Sequence, residues 1–317
     1  MKILLIFFGI VFFLGKISAQ EPEINLPPGS AYNFIVIGCH GRMGYRNQQE
    51  VADAMANVAT ESGVRFIVTA GDNFQRNGVQ SIHDPLWMTC FENVYTHPSL
   101  HRNWFPALGN HDHYGCTQSM IDYSKVSRRW KMPNNYYTVV KSRRGVTIRL
   151  VIIDTYYIIS AFSGSYWNSS SVEFTGIKAE YNIENAKRQL EWVDSVLTVA
   201  AEDWVVVVGH HPVFSARRPS KELIEHLNPI LNRHDVDFYV CSHDHIFQHM
   251  RDPDSNIDYI MTTAGSAVRQ PASNDMTIFT TSEPTPGFSV GSATKTDFSM
   301  YFVDIDGKAI YHYTREK

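Results

Sequence analysis

The sequence predicts an α/β fold in which two mixed β-sheets pack together and helices cover their outer faces. Apolar strand-like runs alternate along the 317-residue chain with segments of helical periodicity, which is typical of layered α/β domains. Hydrophobic residues make up 44% of the chain, enough for a large core. Trp87, Trp104 and Trp192 are expected to pack in that core. The length suits one large domain or two packed halves.

In the first half of the chain, four apolar runs predict strands and one segment predicts a helix. The predicted strands cover residues 33–38, 64–70, 104–108 and 147–153. The predicted helix covers residues 48–62, because Val51, Met55 and Val58 recur on one helical face.

The second half continues the alternation after a polar and aromatic insertion. Helices are predicted at residues 183–197 and 221–231, and strands at 204–209, 238–241, 257–263, 299–304 and 309–313. Residues 157–174 predict a long surface loop, which contains a glycosylation sequon at Asn168 that matters only in a eukaryote. Four aromatic residues either form a rim above the functional site or pack within the loop: Tyr156, Tyr157, Tyr166 and Trp167.

The N-terminus has the pattern of a secretory signal peptide. Lys2 precedes an apolar run at residues 3–14, and we expect cleavage after the small residue Ala19. The run is too short to span about 30 Å of hydrocarbon, and no later stretch is long and apolar enough. We therefore predict a signal peptide at 1–19, a leader at 20–32, a single domain at 33–317, and a secreted or periplasmic protein without a membrane span.

Charge and cysteine content narrow the possible partners and cross-links. The net charge of −4 becomes about −6 when the two lysines of the signal peptide are lost, which disfavours nucleic acid as a partner. An exported chain can form disulfides, and four cysteines allow three pairings. We expect a Cys90–Cys116 bridge, because Cys39 and Cys241 fall in loops that carry chemistry.

Four predicted strand ends run directly into short polar clusters. The clusters are Gly71-Asp72-Asn73-Phe74, Gly109-Asn110-His111-Asp112-His113, Gly209-His210-His211-Pro212 and Ser242-His243-Asp244-His245. A glycine after a buried strand lets the backbone turn sharply, so that the next side chain projects from the carboxyl edge of the sheet. Because all four clusters are rich in Asp, Asn or His, they indicate a shared metal site with oxygen and imidazole ligands.

Such a set of ligands suits the hydrolysis of a phosphate ester. Two metal ions roughly 3.5–4 Å apart, bridged by a carboxylate, can neutralise the phosphoryl oxygens and supply a nucleophilic hydroxide at moderate pH. Imidazole and amide ligands complete the metal shells without adding negative charge that repels phosphate. A histidine that binds no metal can protonate the leaving alkoxide.

These loops, in this order, resemble the motifs of the calcineurin-like metallophosphoesterase superfamily. The forms Gly-Asp-Asn-Phe, Gly-Asn-His-Asp, Gly-His-His-Pro and His-Asp-His are similar in particular to those of the small, mammalian-type purple (tartrate-resistant) acid phosphatases. The similarity runs from about residue 33 to the C-terminal strands. It implies a four-layer α/β/β/α sandwich with two packed mixed β-sheets flanked by helices.

The resemblance also implies a role for each matching residue. Asp72 would bridge two metal ions, and His245 would bind the first of them. The second ion would be held in addition by Asn110, His210 and His243.

The same resemblance makes His111 the histidine that protonates the leaving group or orients the substrate, with Asp112 supporting it. Residues beside these motifs are expected to line the substrate pocket: His113, His211, Arg217 and Arg218. The two arginines either contact phosphate through bidentate hydrogen bonds or form an exposed basic turn.

Two positions at the first metal depart from the family's pattern. The pattern has an aspartate where this chain has Cys39, and a tyrosine, whose phenolate binds ferric iron, where this chain has Gln75. A Fe(III)–tyrosinate centre is therefore not expected. The expected cofactors are two metal ions, divalent or of the Fe/Zn type, or a single ion if only one site is retained. Cys39 is either a ligand that favours Zn²⁺ or ferrous iron, or a buried thiol. His40 is expected to face solvent or substrate.

The function predicted from these residues is metal-dependent hydrolysis of phosphate monoesters, acid-phosphatase-like and outside the cytoplasm, with a metal-bound hydroxide as nucleophile. The substrate would be a phosphorylated small molecule or phosphoprotein. Two alternatives stay open: a degenerate pseudo-phosphatase that binds a phosphorylated ligand or protein partner without turnover, and a phosphodiesterase or nucleotidase on the same scaffold. The altered first metal site motivates the first of these.

Overall fold

Two mixed β-sheets form the centre of the computed structural model, which describes Ile24, Leu26 and residues 31–163 and 183–317. The strands are β1 (Tyr32–Ile37), β2 (Phe66–Thr69), β3 (Asn103–Pro106), β4 (Tyr137–Arg143), β5 (Val146–Ile152), β6 (Trp204–Val208), β7 (Phe238–Cys241), β8 (Gln248–Arg251), β9 (Asp258–Met261), β10 (Thr277–Thr280), β11 (Gly287–Ala293), β12 (Asp297–Asp304) and β13 (Ala309–Glu316). The α-helices are α1 (Gln48–Ser62), α2 (Thr117–Tyr123), α3 (Thr155–Phe162), α4 (Ile183–Thr198), α5 (Lys221–His226) and α6 (Asn228–Arg233). A π-helix and two 3₁₀-helices lie at Trp87–Glu92, Pro98–Leu100 and Asp112–Tyr114.

The strand order brings parallel strand ends to one side of each sheet. The first sheet has the order β13-β12-β11-β1-β2-β3, and the second has the order β10-β8-β9-β7-β6-β5-β4. Strands β1, β2 and β3 are parallel, as are β5, β6, β7 and β9. Because parallel strands end at the same edge, the loops that follow them are gathered there.

The sheets share a hydrophobic core, and helices cover their outer faces. Phe298 of β12 contacts Trp204 of β6 and Phe238 of β7, with ring centroids 5.4 and 4.5 Å away. Helix α1 packs on β1 and β11, and α3 to α6 contribute to a second cluster on the other sheet. The predicted four-layer α/β/β/α arrangement is confirmed, and Trp87 and Trp104 are buried as expected.

One predicted helix is wrong in its extent. Residues 221–231 form not one helix but two, α5 and α6, which meet at Leu227 and Asn228. Pro229 lies in the first turn of α6, where its missing amide hydrogen is tolerated. In the interior of a continuous helix the same proline would remove a hydrogen bond and clash with the preceding turn.

The predicted loop at residues 157–174 is also wrong in its first part. Residues up to Phe162 belong to α3, which begins at Thr155 because the Asp154 carboxylate accepts a hydrogen bond from the amide of Tyr157 over 3.1 Å. The rest of that prediction, with Tyr166, Trp167 and the sequon, lies outside the described residues, as do the signal peptide and most of the leader. Among the helices that the structure describes, none has the length and apolarity needed to cross a membrane.

The expected disulfide is absent, because all four cysteines are free thiols. The buried Cys90 sulfur accepts a hydrogen bond from the amide of Met43 over 3.3 Å. The Cys116 amide donates to the carbonyl of Val79 over 2.7 Å at the start of α2. Cys90 and Cys116 thus pack against different parts of the chain, and the Cys90–Cys116 prediction is wrong.

Candidate metal centre

The loops after β1, β2, β6 and β7 are held together where the two sheets meet. The amide of Cys39 donates to the loop after β2 over 2.9 Å, and the amide of Ser242 donates to the carbonyl of His210 over 3.1 Å. A bridge between Gly38 and Ala264 joins the end of β1 to the loop after β9 in the second sheet. The polar clusters found in the sequence therefore converge at one edge of the sandwich.

Two glycines allow the close approach of these loops. Gly71 has a φ of +83°, and a Cβ atom there would lie 2.6 Å from a ring nitrogen of His210. A Cβ atom on Gly109 would lie 2.3 Å from the backbone nitrogen of Asp72. Any larger residue at either position would push apart the loops that carry the candidate ligands.

The centre of the cluster consists of Asp72, His210 and His243. His210 Nε2 lies 3.4 Å from Asp72 Oδ1 and 3.1 Å from His243 Nδ1. The other nitrogen of His210 donates to the carbonyl of Ala70 over 2.8 Å, which directs Nε2 at Asp72. Burial lowers the pKa of His210, but Asp72 and the Ala70 carbonyl outweigh burial and raise it, so a cation would bind Nε2 in place of a proton. Asn110, which lines the same cavity as His243, has a buried Oδ1 without a hydrogen-bond partner among the described residues. Acceptor atoms of these kinds fit a divalent cation.

The protonation states favour a cation at this position. Burial raises the pKa of Asp72, but the neighbouring His210, His111 and His243 outweigh burial and hold that pKa well below its usual value. Burial, reinforced by His210, lowers the pKa of His243 well below its usual value. Asp72 is therefore ionised and His243 neutral at ordinary pH, and these are the forms that bind metal.

Three candidate ligands have strained backbones. Cys39, Asp72 and His245 adopt φ angles of 50°, 54° and 58°, in the left-handed region that residues other than glycine rarely enter. Each such conformation costs on the order of 1–3 kcal/mol and persists only where the surrounding structure enforces it. Three of the eight non-glycine residues with positive φ in the described part of the chain are thus candidate ligands.

The side of Asp72 that faces Cys39 differs from the side that faces His210. Gln75 Nε2 donates to Asp72 Oδ2 over 3.5 Å, and Cys39 Sγ lies 3.9 Å from the same oxygen. The Ser242 hydroxyl donates to Cys39 Sγ over 3.0 Å. Burial, together with Asp72, raises the pKa of the Cys39 thiol well above its usual value. Hydrogen-bond donors thus face Asp72 Oδ2 on this side. The acceptor next to them, the buried Gln75 Oε1 without a partner among the described residues, is neutral, so these residues lack the anionic ligands that a first metal ion would need and do not fit that ion.

Distances alone allow two groups of metal ligands among the described residues. Donor atoms lie within 4.8 Å of one another in the group His210, His211, His243 and in the group Cys39, Asp72, His210. The second group requires a buried thiol to lose its proton, so we favour the histidine side. Neither group contains Asp72 and His243 together, so His210 is the residue that links these two side chains. Neither group includes His245, whose Nδ1 donates to the carbonyl of Ala267 over 2.5 Å.

His111 and Asp112 are close to this centre but point in different directions. His111 Nδ1 donates to the carbonyl of Arg76 over 2.6 Å, and its Nε2 lies 4.0 Å from Asp72 Oδ2 with the side chain 31% exposed. The buried Asp112 carboxylate accepts from the amides of Gly109 and Asn73 over 2.9 and 3.0 Å. Burial and Asp72 raise the pKa of Asp112 to about 6. Asp112 therefore joins the loops after β2 and β3 and does not hold the His111 ring.

The expectation that His40 faces solvent or substrate is wrong. Its ring is fully buried, and Nδ1 is hydrogen-bonded to the Tyr95 hydroxyl at 2.9 Å. The ring also packs against Trp104 with centroids 6.1 Å apart. Burial lowers the pKa of His40 to about 4, so it is a neutral residue of the core.

A cavity of about 210 Å³ opens beside the candidate ligands. Its lining includes Asn110, His211, His243, Tyr156, Ile159 and Arg218. Tyr156 lies in this wall, in agreement with the rim alternative for that residue, whereas Ile159 contributes to it from a segment that was predicted as a loop. Arg217, in contrast, donates to the carbonyl of Gln270 over 2.5 Å and is not part of the lining.

His113 does not line this cavity either. Its Nε2 pairs with Asp154 Oδ1 at 3.0 Å, and its side chain is only 4% exposed. The ring lies behind Tyr156, with centroids 4.8 Å apart. His113 thus joins the loop after β3 to the start of α3, and its predicted pocket role is wrong.

Comparisons with known proteins find related sequences and a common fold. A family model described as calcineurin-like phosphoesterase matches residues 32–247. The chain is 29% identical to purple acid phosphatase 3 of Arabidopsis thaliana, over 96% of this chain and 84% of that protein. It is also 29% identical to tartrate-resistant acid phosphatase type 5 of Sus scrofa, over 90% of this chain and 86% of that protein. The solved structure of GAP50, the anchor in the inner membrane complex of Plasmodium, superposes with a TM-score of 0.77 at 23% identity, over 90% and 89% of the two chains, which shows a common fold.

Proposed function

Because this chain belongs to the calcineurin-like phosphoesterase family, whose activity is metal-dependent phosphoester hydrolysis, we propose that it hydrolyses phosphate monoesters. The acid phosphatases to which it is similar support the monoester class. The family uses a dinuclear metal centre. The observation that carries the proposal is the position of His210 Nε2, 3.4 Å from Asp72 Oδ1 and 3.1 Å from His243 Nδ1, with the unpartnered Asn110 Oδ1 in the cavity that His243 also lines.

These four side chains would hold one divalent ion of the zinc or ferrous iron type. Such an ion, when bound, polarises a phosphoryl group and acidifies a water molecule. Ala70 fixes the His210 ring through its carbonyl, which keeps Nε2 directed at Asp72. The cluster thus presents one negative charge and three neutral donors, which leaves the loaded site positive toward phosphate.

Two further side chains would act on the substrate. His111, held at Nδ1 by the Arg76 carbonyl, turns Nε2 toward Asp72 and the site, where a proton on that nitrogen can pass to the leaving oxygen. Arg218 lines the cavity and offers a guanidinium to the phosphoryl oxygens. Tyr156 and Ile159 would enclose the organic part of the ester.

We propose further that the protein acts outside the cytoplasm, on a phosphorylated small molecule or phosphoprotein. The N-terminal pattern of a positive residue, a short apolar run and a small residue at position 19 supports export.

Removal of metal tests the proposal. Chelator-treated protein should hydrolyse an aryl phosphate monoester at least about 100-fold more slowly, and added Zn²⁺, Mn²⁺ or Fe²⁺ should restore the rate, because the ion supplies several kcal/mol of transition-state stabilisation. The matching aryl diester should be the poorer substrate. Turnover that is independent of metal would contradict the proposal, and a preference for the diester would favour the phosphodiesterase alternative.

A second candidate function is favoured by the first metal position. Cys39 and Gln75 replace two anionic ligands, so the chain could bind a phosphorylated ligand or partner without turnover. In the same assay, metal uptake and phosphate binding without hydrolysis under any added metal would favour this binder over the enzyme.

A further inference from the structure

Two arginines flank the position where the first metal ion does not fit. Arg42 lies on the loop after β1, where its amide donates to Gln48 Oε1 over 2.8 Å. Arg269 lies on the loop after β9, where its amide donates to the carbonyl of His245 over 3.1 Å. That loop is tied to the first, because the Ser266 hydroxyl donates to the carbonyl of Cys39 over 2.5 Å.

Each guanidinium group has a carboxylate nearby, Asp72 for Arg42 and Asp244 for Arg269, but neither is paired with it. No ion pair within the described ranges includes Arg42 or Arg269. Arg42 Nε and Arg269 Nη1 are buried and have no hydrogen-bond partner among the described residues. A buried, unpaired guanidinium nitrogen is unfavourable, so these two atoms indicate a missing acceptor.

The two arginines act electrostatically on the same point. Both guanidinium groups lie within electrostatic range of the Cys39 side chain, as does the Asp72 carboxylate. Burial lowers the pKa of Arg269, and the nearby Arg218 lowers it further. Arg218 thus lies near Arg269, and Arg269 and Arg42 both lie near Cys39, with the Asp244 carboxylate close to Arg218 and Arg269.

We propose that Arg42 and Arg269 form an anion subsite that binds phosphoryl oxygens at the position which the family gives to its first metal ion. This inference rests on the proposed function, because it assigns the substrate's phosphoryl group to that subsite. Two fixed cations, placed beside a neutral thiol and a neutral amide, supply there the positive charge that a metal ion would otherwise bring. Guanidinium groups suit this role, since they donate paired hydrogen bonds to phosphate oxygens.

The test is calorimetric titration with inorganic phosphate, on zinc-loaded and on chelator-treated protein. Arg42→Gln and Arg269→Gln should each weaken phosphate binding about tenfold or more in both forms, because each removes a charge-assisted hydrogen bond. The phosphate affinity of Arg42→Lys should lie between that of Arg42→Gln and that of the wild type, since lysine keeps the charge but lacks the planar guanidinium group. Arg102→Gln, at an exposed arginine elsewhere, is the matched control and should bind like the wild type.

The outcomes separate this inference from the proposed function. Unchanged phosphate affinity in Arg269→Gln and in Arg42→Lys, with thermal unfolding like that of the wild type, would overturn the subsite, as would a second ion bound next to Cys39. If the proposed function is wrong but the subsite is right, the wild type would not hydrolyse aryl phosphate with any added metal. Arg269→Gln would still bind inorganic phosphate more weakly than the wild type in the metal-free protein.

Discussion

Asp72→Asn should abolish stoichiometric metal binding and lower the rate of aryl phosphate hydrolysis on the order of 10³-fold or more. Asp72 supplies the only carboxylate next to His210 Nε2 and His243 Nδ1 in our assignment. Asparagine keeps the size of the side chain, so the hydrogen bond from the His111 amide to Oδ1 can remain. The loss therefore reports on charge rather than on folding.

Elemental analysis and steady-state kinetics check this result together. Asp53→Asn is the matched control, because Asp53 is exposed on α1 and its removal should change neither quantity. An Asp72→Asn protein that keeps its metal and more than about a tenth of its rate would contradict the assignment of Asp72 as a ligand.

The double variant Cys39→Asp, Gln75→Tyr should raise the zinc content from one ion per chain to two. The change replaces a neutral thiol and an amide donor beside Asp72 Oδ2 with acceptors of the kind the family's pattern places there. Two buried carboxylates side by side repel unless a cation lies between them. Added zinc should therefore raise the melting temperature of this variant by several degrees more than that of the wild type.

The matched control is Cys39→Ser, which changes the thiol without adding an anion and should stay at one ion. Metal titration measures the number of zinc ions bound per chain, and thermal unfolding measures the stabilisation by zinc. If the double variant folds and still takes up one ion, with no extra stabilisation by zinc, positions 39 and 75 do not face a metal position.

The candidate site could be predicted from the sequence because its signals are local. Each polar cluster follows a buried apolar strand, and the parallel strands deliver these clusters to one edge. The residue pattern therefore groups the four clusters, and the family resemblance selects Asp72, Asn110, His210 and His243 within them. Cys39 and Gln75 stand out in it as departures from a known pattern, but only the contacts to Asp72 Oδ2 show donors in place of acceptors.

Features that depend on distant contacts could not be predicted. β11 consists largely of Gly, Ser and Ala, which give little strand signal, and it is fixed by pairing with β1 and β12 on either side. His40 is buried because Tyr95, far along the chain, bonds to its ring. Arg42 and Arg269 belong to loops of different sheets, so no sequence motif joins them.

The most direct test of the central claim is the number of zinc ions bound per chain, measured on the wild type, Cys39→Ala and His243→Ala. A single ion held on the histidine side of Asp72 predicts one zinc in the wild type, one in Cys39→Ala and none in His243→Ala. Zinc that is lost in Cys39→Ala but kept in His243→Ala, or a wild type that binds none, would contradict it.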